Sequence, residues 1–146
     1  MPKHELIRMR FSSEVLFIDI AQEVVQKILE NLKVVEDEIF WVCLAVREAV
    51  INAVKHGNNF DAGKYVDFSV GIQGEQLRIE VADQGTGFNI DDVPDPLSDE
   101  NILKPSGRGI FYIRSFMDNV DYEIVQPSGT RLVMLKKLTI PAEERA

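Results

Sequence analysis

The chain is 146 residues long, a length that suits one domain and lets a fold bury roughly two-thirds of the surface its unfolded chain exposes. Sixteen Lys and Arg against 24 Asp and Glu leave a net charge of −8, so the surface repels nucleic-acid phosphates and direct binding of DNA or RNA is not expected. A single cysteine, Cys43, excludes a disulfide framework or a thiolate metal cluster within one chain and is expected to be a small buried apolar residue.

The N-terminus, MPKHELIRMRF, has no apolar signal core, and no later run approaches the 18 or so apolar residues of a membrane span. A soluble, cytoplasmic protein is the expectation. The first strand is predicted over Glu5 to Phe11, with Ser12 or Ser13 capping the helix that follows. Ile18, Ala21, Val25, Ile28 and Leu32 recur at spacings of three and four, which makes one helical stripe. A second helix is predicted from about Glu36 to His56, with Ile39, Cys43, Val46, Val50 and Ala53 as its stripe. Gly57 is expected to end it in the left-handed conformation.

From Tyr65 the period becomes two. Val66, Phe68, Val70 and Ile72 point one way, "QGEQ" makes a turn, and Leu77, Ile79 and Val81 form the buried face of the next strand. Residues 89–106 have no periodicity and hold Pro94, Pro96, Pro105 and the acids Asp91, Asp92, Asp95, Asp99 and Glu100. They are expected to form a long exposed loop, and a loop of that length in a compact domain usually has a function or is disordered. A helix restarts after Gly109, and two strands follow near Val120 to Val125 and Thr130 to Leu138. The order predicts an α+β fold. It is a two-layer sandwich in which helices cover one face of a mixed, mostly antiparallel sheet.

Within this frame, four stretches carry chemistry. Glu48, Asn52 and His56 are four residues apart and so form a ridge on the second helix, opposite its apolar stripe. A polar ridge so placed is ordinarily solvated, and a His near a helix C-terminus ordinarily makes a dipole contact. Asp83 continues the odd-numbered series Leu77, Ile79, Val81, so its carboxylate points toward the buried face and requires a partner there. The "DQGTGF" stretch then supplies Gly85 and Gly87 for close backbone approach. In "SGRGIFYI", Gly107 and Gly109 open a helix and could present backbone N–H groups to an anion. Gly129 and Thr130 open the last strand, with Thr130 on the face of Leu132 and Met134; a plain turn explains this pair equally well. Neither the G-x-x-x-x-G-K-[ST] phosphate loop nor a G-x-G-x-x-G after a first strand is present.

Taken together, E-x3-N-x3-H on a helix, D-x-G-x-G after a strand, a lid-like loop, G-x-G opening a helix and a late G-T resemble the GHKL ATPase superfamily over nearly the whole chain. The size and short lid resemble its anti-sigma factor serine kinases most. The resemblance implies a single histidine-kinase-like ATP-binding domain over 1–146, with an ATP lid at about 89–106. It implies that Asp83 accepts a hydrogen bond from the adenine amino group, that Thr130 helps hold the adenine and that Gly85 and Gly87 shape its pocket. Asn52 would offer its amide oxygen to Mg²⁺, Gly107, Arg108 and Gly109 would wrap the phosphates, and Glu48 would be the general base toward a partner's serine. His56 receives a supporting role only. Where related kinases often carry a basic lid residue, this chain has Pro105 and Ser106, so Lys104 or Arg108 would meet the γ-phosphate. The partners implied are a STAS-domain anti-sigma factor antagonist, a sigma factor and a second copy of the chain, paired through the first strand and helix. The competing readings are a nucleotide-dependent binding module without catalysis and, last, the catalytic fragment of a sensor histidine kinase, for which 146 residues leave no room for a phosphoacceptor helix.

Overall fold

A computed structural model describes residues 5–85, 113–125 and 129–142. Its elements in chain order are β1 (Glu5–Ser12), α1 (Leu16–Asn31), α2 (Glu36–Ile51), a π-helical turn (Asn52–Gly57), β2 (Tyr65–Gln73), β3 (Gln76–Ala82), a helical stretch at residues 113–116, β4 (Asn119–Ile124) and β5 (Thr130–Lys137). The five strands form one sheet in the order β1-β2-β3-β5-β4. The α+β class expected from the sequence holds, and every described pairing in the sheet is antiparallel.

The register explains where the core lies. Met9 faces Phe68, Phe68 faces Val81, Val81 faces Leu132, and Leu132 faces Tyr122. A second row runs Ile7, Val70, Ile79, Met134, Val120. Because side chains alternate faces along a strand, both rows lie on one side of the sheet and bury together. Helices α1 and α2 close that side with Ile18, Ala21, Val25 and Leu29 from one and Val42, Ala45, Val46, Ala49 and Val50 from the other. Each fully buried Leu, Ile or Val in this layer stabilises the fold by about 1.5–3 kcal/mol before entropy is counted. Cys43 is buried as expected, and burial raises its thiol pKa to about 11.

Three local expectations are corrected. Neither Ser12 nor Ser13 caps α1, whose N-cap is Val15 without a side-chain bond. Ser12 instead bonds Glu14, and Ser13 is buried and donates to the Lys64 carbonyl at 2.8 Å. Gly57 is not left-handed; the positive φ values nearby belong to Asn59 and Phe60. The second helix does not stay α-helical to His56, because Asn52–Gly57 winds as a π-helical turn, closed by Asn58 N–H donating five residues back to Ala53 at 2.8 Å. The hairpin turn at "QGEQ" forms as expected, with Gly74 at φ +64°.

Candidate nucleotide site

The site is built at the end of β3, where the apolar alternation meets a charge. Asp83 follows Ala82 out of the strand but stays buried. Its backbone N–H donates to the Thr130 carbonyl at 3.0 Å, and its Oδ1 accepts from the N–H groups of Gly85 (2.9 Å) and Thr130 (3.2 Å). Both of those bonds fall on one carboxylate oxygen. Burial pushes the Asp83 pKa up, and the two backbone bonds and the charge of Lys64 partly offset this. Thr130 lies on the same face, beside Leu132 and Met134, so the expected register holds. Its Oγ1 is buried and has no hydrogen-bond partner among the described residues.

Glycines close around this carboxylate for a steric reason. A Cβ at Gly57 would stand 2.2 Å from Asp83 Oδ2, one at Gly85 would stand 1.8 Å from the Gly57 carbonyl oxygen, and one at Gly129, at φ +121°, would stand 2.3 Å from the Asp83 carbonyl oxygen. The contacts at Gly85 and Gly129 are with backbone and the one at Gly57 is with the buried Asp83 side chain, and real Cβ atoms do not come so close to either. Gly57 is therefore required by the approach of Asp83, a long-range cause that the local helix-end pattern does not reveal.

Asn58 was not singled out in the sequence, yet it organises the same corner. It is buried, and its Nδ2 donates to Ser13 Oγ (2.8 Å) and to the Tyr65 carbonyl (3.0 Å). Its Oδ1 accepts from Gln84 N–H (2.7 Å), while Gln84 Oε1 accepts from Tyr65 N–H (2.6 Å). This network ties the π-turn, the start of β2 and the residue after Asp83 into one unit. The only sequence signal was an Asn directly after a helix-ending Gly.

The helix supplies the second part. Glu48 is half-buried on α2, and burial raises its pKa while Arg47 partly lowers it. One turn on, Asn52 is half-buried and its Nδ2 is fully withdrawn from solvent with no hydrogen bond formed among the described residues. His56 is exposed, and burial of part of its ring and then the charge of Lys55 lower its pKa. The expected ridge is thus graded from half-buried to exposed. Gly87, Lys104, Gly107, Arg108 and Gly109, and the lid expected at 89–106, lie outside the described residues.

An Mg²⁺ ion fits the donor chemistry at Asn52. Among the described residues no group of three or more His, Cys, Asp or Glu could hold a metal alone. An ion held chiefly by phosphates and water needs only one or two protein oxygens, which one carboxamide supplies. Nδ2 is buried with no hydrogen bond among the described residues, and the oxygen is the end of a carboxamide whose chemistry suits a hard cation.

Residues 11–136 match the family model of the histidine kinase-like ATPase domain. The chain is 39% identical over 106 residues to an anti-sigma F factor of Clostridium acetobutylicum, an alignment covering 71% of this chain and 73% of that one. Among solved structures, the SiaB-SiaC complex from Pseudomonas aeruginosa matches with a TM-score of 0.70 at 10% identity, over 90% of this chain and 89% of that one. The RsbU and RsbW domains of a Mycobacterium tuberculosis protein match with a TM-score of 0.68 at 16% identity, over 97% of this chain and 34% of that longer one. Both structural likenesses speak for the fold. The chain belongs to the histidine kinase-like ATPase family. Within it, the sequence similarity runs to the anti-sigma F factors.

Proposed function

We propose that this protein is an ATP-dependent anti-sigma factor and protein-serine kinase that phosphorylates a STAS-domain antagonist in a cytoplasmic partner switch. The observation that carries the nucleotide half is the Asp83–Thr130 pair. It joins a buried carboxylate, fixed through one oxygen by two backbone N–H groups, to a buried hydroxyl without a partner among the described residues. Buried polar groups in native proteins are almost always satisfied, so a hydroxyl left over beside a pre-set carboxylate supports a ligand that donates and accepts there, as the adenine edge does. The similarity to anti-sigma F factors supports the sigma-factor half.

The roles follow from chemistry. Asp83 accepts from the adenine amino group, Thr130 bonds the ring edge, and Gly85 and Gly87 let the base lie against backbone. Asn52 would hold Mg²⁺, which supplies charge neutralisation on the phosphates. Gly107, Arg108 and Gly109 wrap the phosphates beneath a lid at about 89–106, with Lys104 or Arg108 meeting the γ-phosphate. Glu48 takes the proton from the attacking serine; its raised pKa makes it a stronger base than an ordinary surface glutamate. Dimerisation would run through β1 with Leu6, a sheet edge paired only with β2 among the described residues, and through the adjoining face of α1 with Ile20 and Val24. Light scattering should return twice the chain mass.

The deciding experiment combines purified protein, Mg-ATP and STAS-domain proteins encoded near its gene, followed by intact-mass spectrometry. Gain of one phosphate on a partner serine, lost in Glu48→Gln and in Asp83→Asn, is expected. Nucleotide binding without transfer to any candidate would replace the kinase by a switchable binding module.

A further inference from the structure

Tyr122 is absent from the motifs that define the site, yet the fold brings it there. It pairs with Leu132 across the β4–β5 ladder, which places it on the helix-facing side of the sheet, the side of Thr130 and Met134. It packs against the core, and its hydroxyl is fully withdrawn from solvent. That hydroxyl lies against the Asn52 carboxamide and near the Arg114 guanidinium. Both lower the phenol's pKa against the larger upward push of burial.

We propose that Tyr122 is a positioning residue for Asn52, its phenol oxygen taking the Asn52 Nδ2–H so that the carboxamide oxygen is the end presented to a nucleotide-bound Mg²⁺. The inference rests on the nucleotide-binding reading above. An asparagine has two chemically opposite ends. Only the oxygen can ligate a hard cation, and the NH₂ group facing one repels it. Something must therefore choose the orientation. Nδ2 is buried, no described residue has yet closed a hydrogen bond to it, and the Tyr122 phenol lies against the same carboxamide. Withdrawal of electron density by a cation on Oδ1 makes Nδ2–H the better donor, so cation binding and the Asn52–Tyr122 bond reinforce each other. Residues that orient metal ligands from behind act in this way.

The test is titration of ADP into the full chain with Mg²⁺ and separately with EDTA, by calorimetry, for wild type, Tyr122→Phe, Asn52→Ala and Asn52→Asp with and without Tyr122→Phe. Tyr122→Phe is expected to weaken binding roughly tenfold in Mg²⁺ and by less than about twofold in EDTA. In the Asn52→Asp background, where both terminal atoms are oxygens, Tyr122→Phe should lose its Mg²⁺-specific effect. Equal weakening with and without Mg²⁺, or no weakening in either, overturns the positioning role. Persistence of the full effect in the Asn52→Asp background overturns it as well. If Asn52→Ala leaves the Mg²⁺ enhancement intact, the metal assignment of Asn52 fails and the Tyr122 proposal falls with it. Absence of ADP binding in wild type would sink the nucleotide reading itself.

Discussion

Asp83 and Thr130 hold each other across the end of the β3–β5 ladder. One backbone N–H runs from Asp83 to the Thr130 carbonyl at 3.0 Å, and the reciprocal N–H ends on the Asp83 side chain at 3.2 Å. A carboxylate thus stands where a strand carbonyl would ordinarily accept. An Asn oxygen can take the same place, so Asp83→Asn should fold. The folded pKa of Asp83 is raised, so its protonated form is the one that folding favours, and ionisation costs stability as pH rises above the ordinary 3.8. Asp83→Asn should therefore match or exceed wild type in Tm at pH 7, with the gap closing as pH falls below that value. Its NH₂ group would face the ligand's amino group, and ADP affinity should fall roughly 10- to 100-fold, the range for a hydrogen bond to a charged group. Thermal melts beside calorimetry would check both, and a variant that binds ADP normally would remove Asp83 from the site.

The glycines around this carboxylate give a steric prediction. Gly57→Ala and Gly85→Ala place a Cβ within 2.2 Å of Asp83 Oδ2 and 1.8 Å of the Gly57 carbonyl oxygen. Relief requires the Asp83 side chain to shift away from the Gly85 and Thr130 N–H groups in the first case and the backbone to move in the second. Each should cost about 2–3 kcal/mol or more, the scale of overpacking a rigid site. Gly74→Ala is the contrast, because its φ of +64° is strained for alanine but a Cβ there meets open space, so about 1 kcal/mol is expected. Urea unfolding would rank the three, and equal midpoints would refute the close-approach argument.

The parts of this architecture legible in the sequence were those set by period. The stripes of α1 and α2 and the alternation through Val66, Phe68, Val70 and Leu77, Ile79, Val81 each depend on neighbours along the chain. The strand residues are buried as expected, as are Ile18, Ala21, Val25, Cys43, Val46, Val50 and Ala53, while Ile28, Leu32 and Ile39 are only half-buried and Leu29 takes the core position near the end of α1. Asp83 was legible for the same reason, as a charge falling on an apolar phase. What local pattern could not reveal was set by distant contacts. Ser13 looks like a helix cap, but Asn58 and the Lys64 carbonyl claim it, and Gly57 looks like a helix end, but Asp83 requires it. Tyr122 looks like one more residue of a mostly exposed strand until pairing turns it toward Asn52.

Thr130 separates stability from binding. Its Oγ1 is buried without a partner among the described residues, which corresponds to a desolvation cost of about 1–3 kcal/mol with no bond in return. Thr130→Val keeps the shape and the backbone N–H that serves Asp83. Stability should rise or stay level, while ADP affinity falls roughly tenfold. A stability loss above about 1 kcal/mol, measured by denaturant titration, would mean that the hydroxyl already has an internal role.

Glu48 gives the pH signature of the proposed chemistry. Only the ionised form accepts a proton, so phosphate transfer should fall as pH drops through the pKa of Glu48. That pKa is raised by burial, which places the acid limb of kcat/KM above the ordinary glutamate value of 4.5. Arg47 is the group that lowers it, and its own ion pair with Asp19 at 2.5 Å is exposed and contributes at most about 1 kcal/mol. Arg47→Gln should thus leave the fold nearly unchanged and move the acid limb further toward higher pH. The sign for stability is the reverse of a salt-bridged carboxylate, because folding favours the protonated Glu48. Glu48→Gln should therefore melt slightly higher than wild type at pH 7, and the two should converge below pH 4.5. A pH–rate profile on the cognate antagonist, run on wild type and Arg47→Gln, decides the matter. A limb that stays still or moves to lower pH would show that the titrating group is not Glu48.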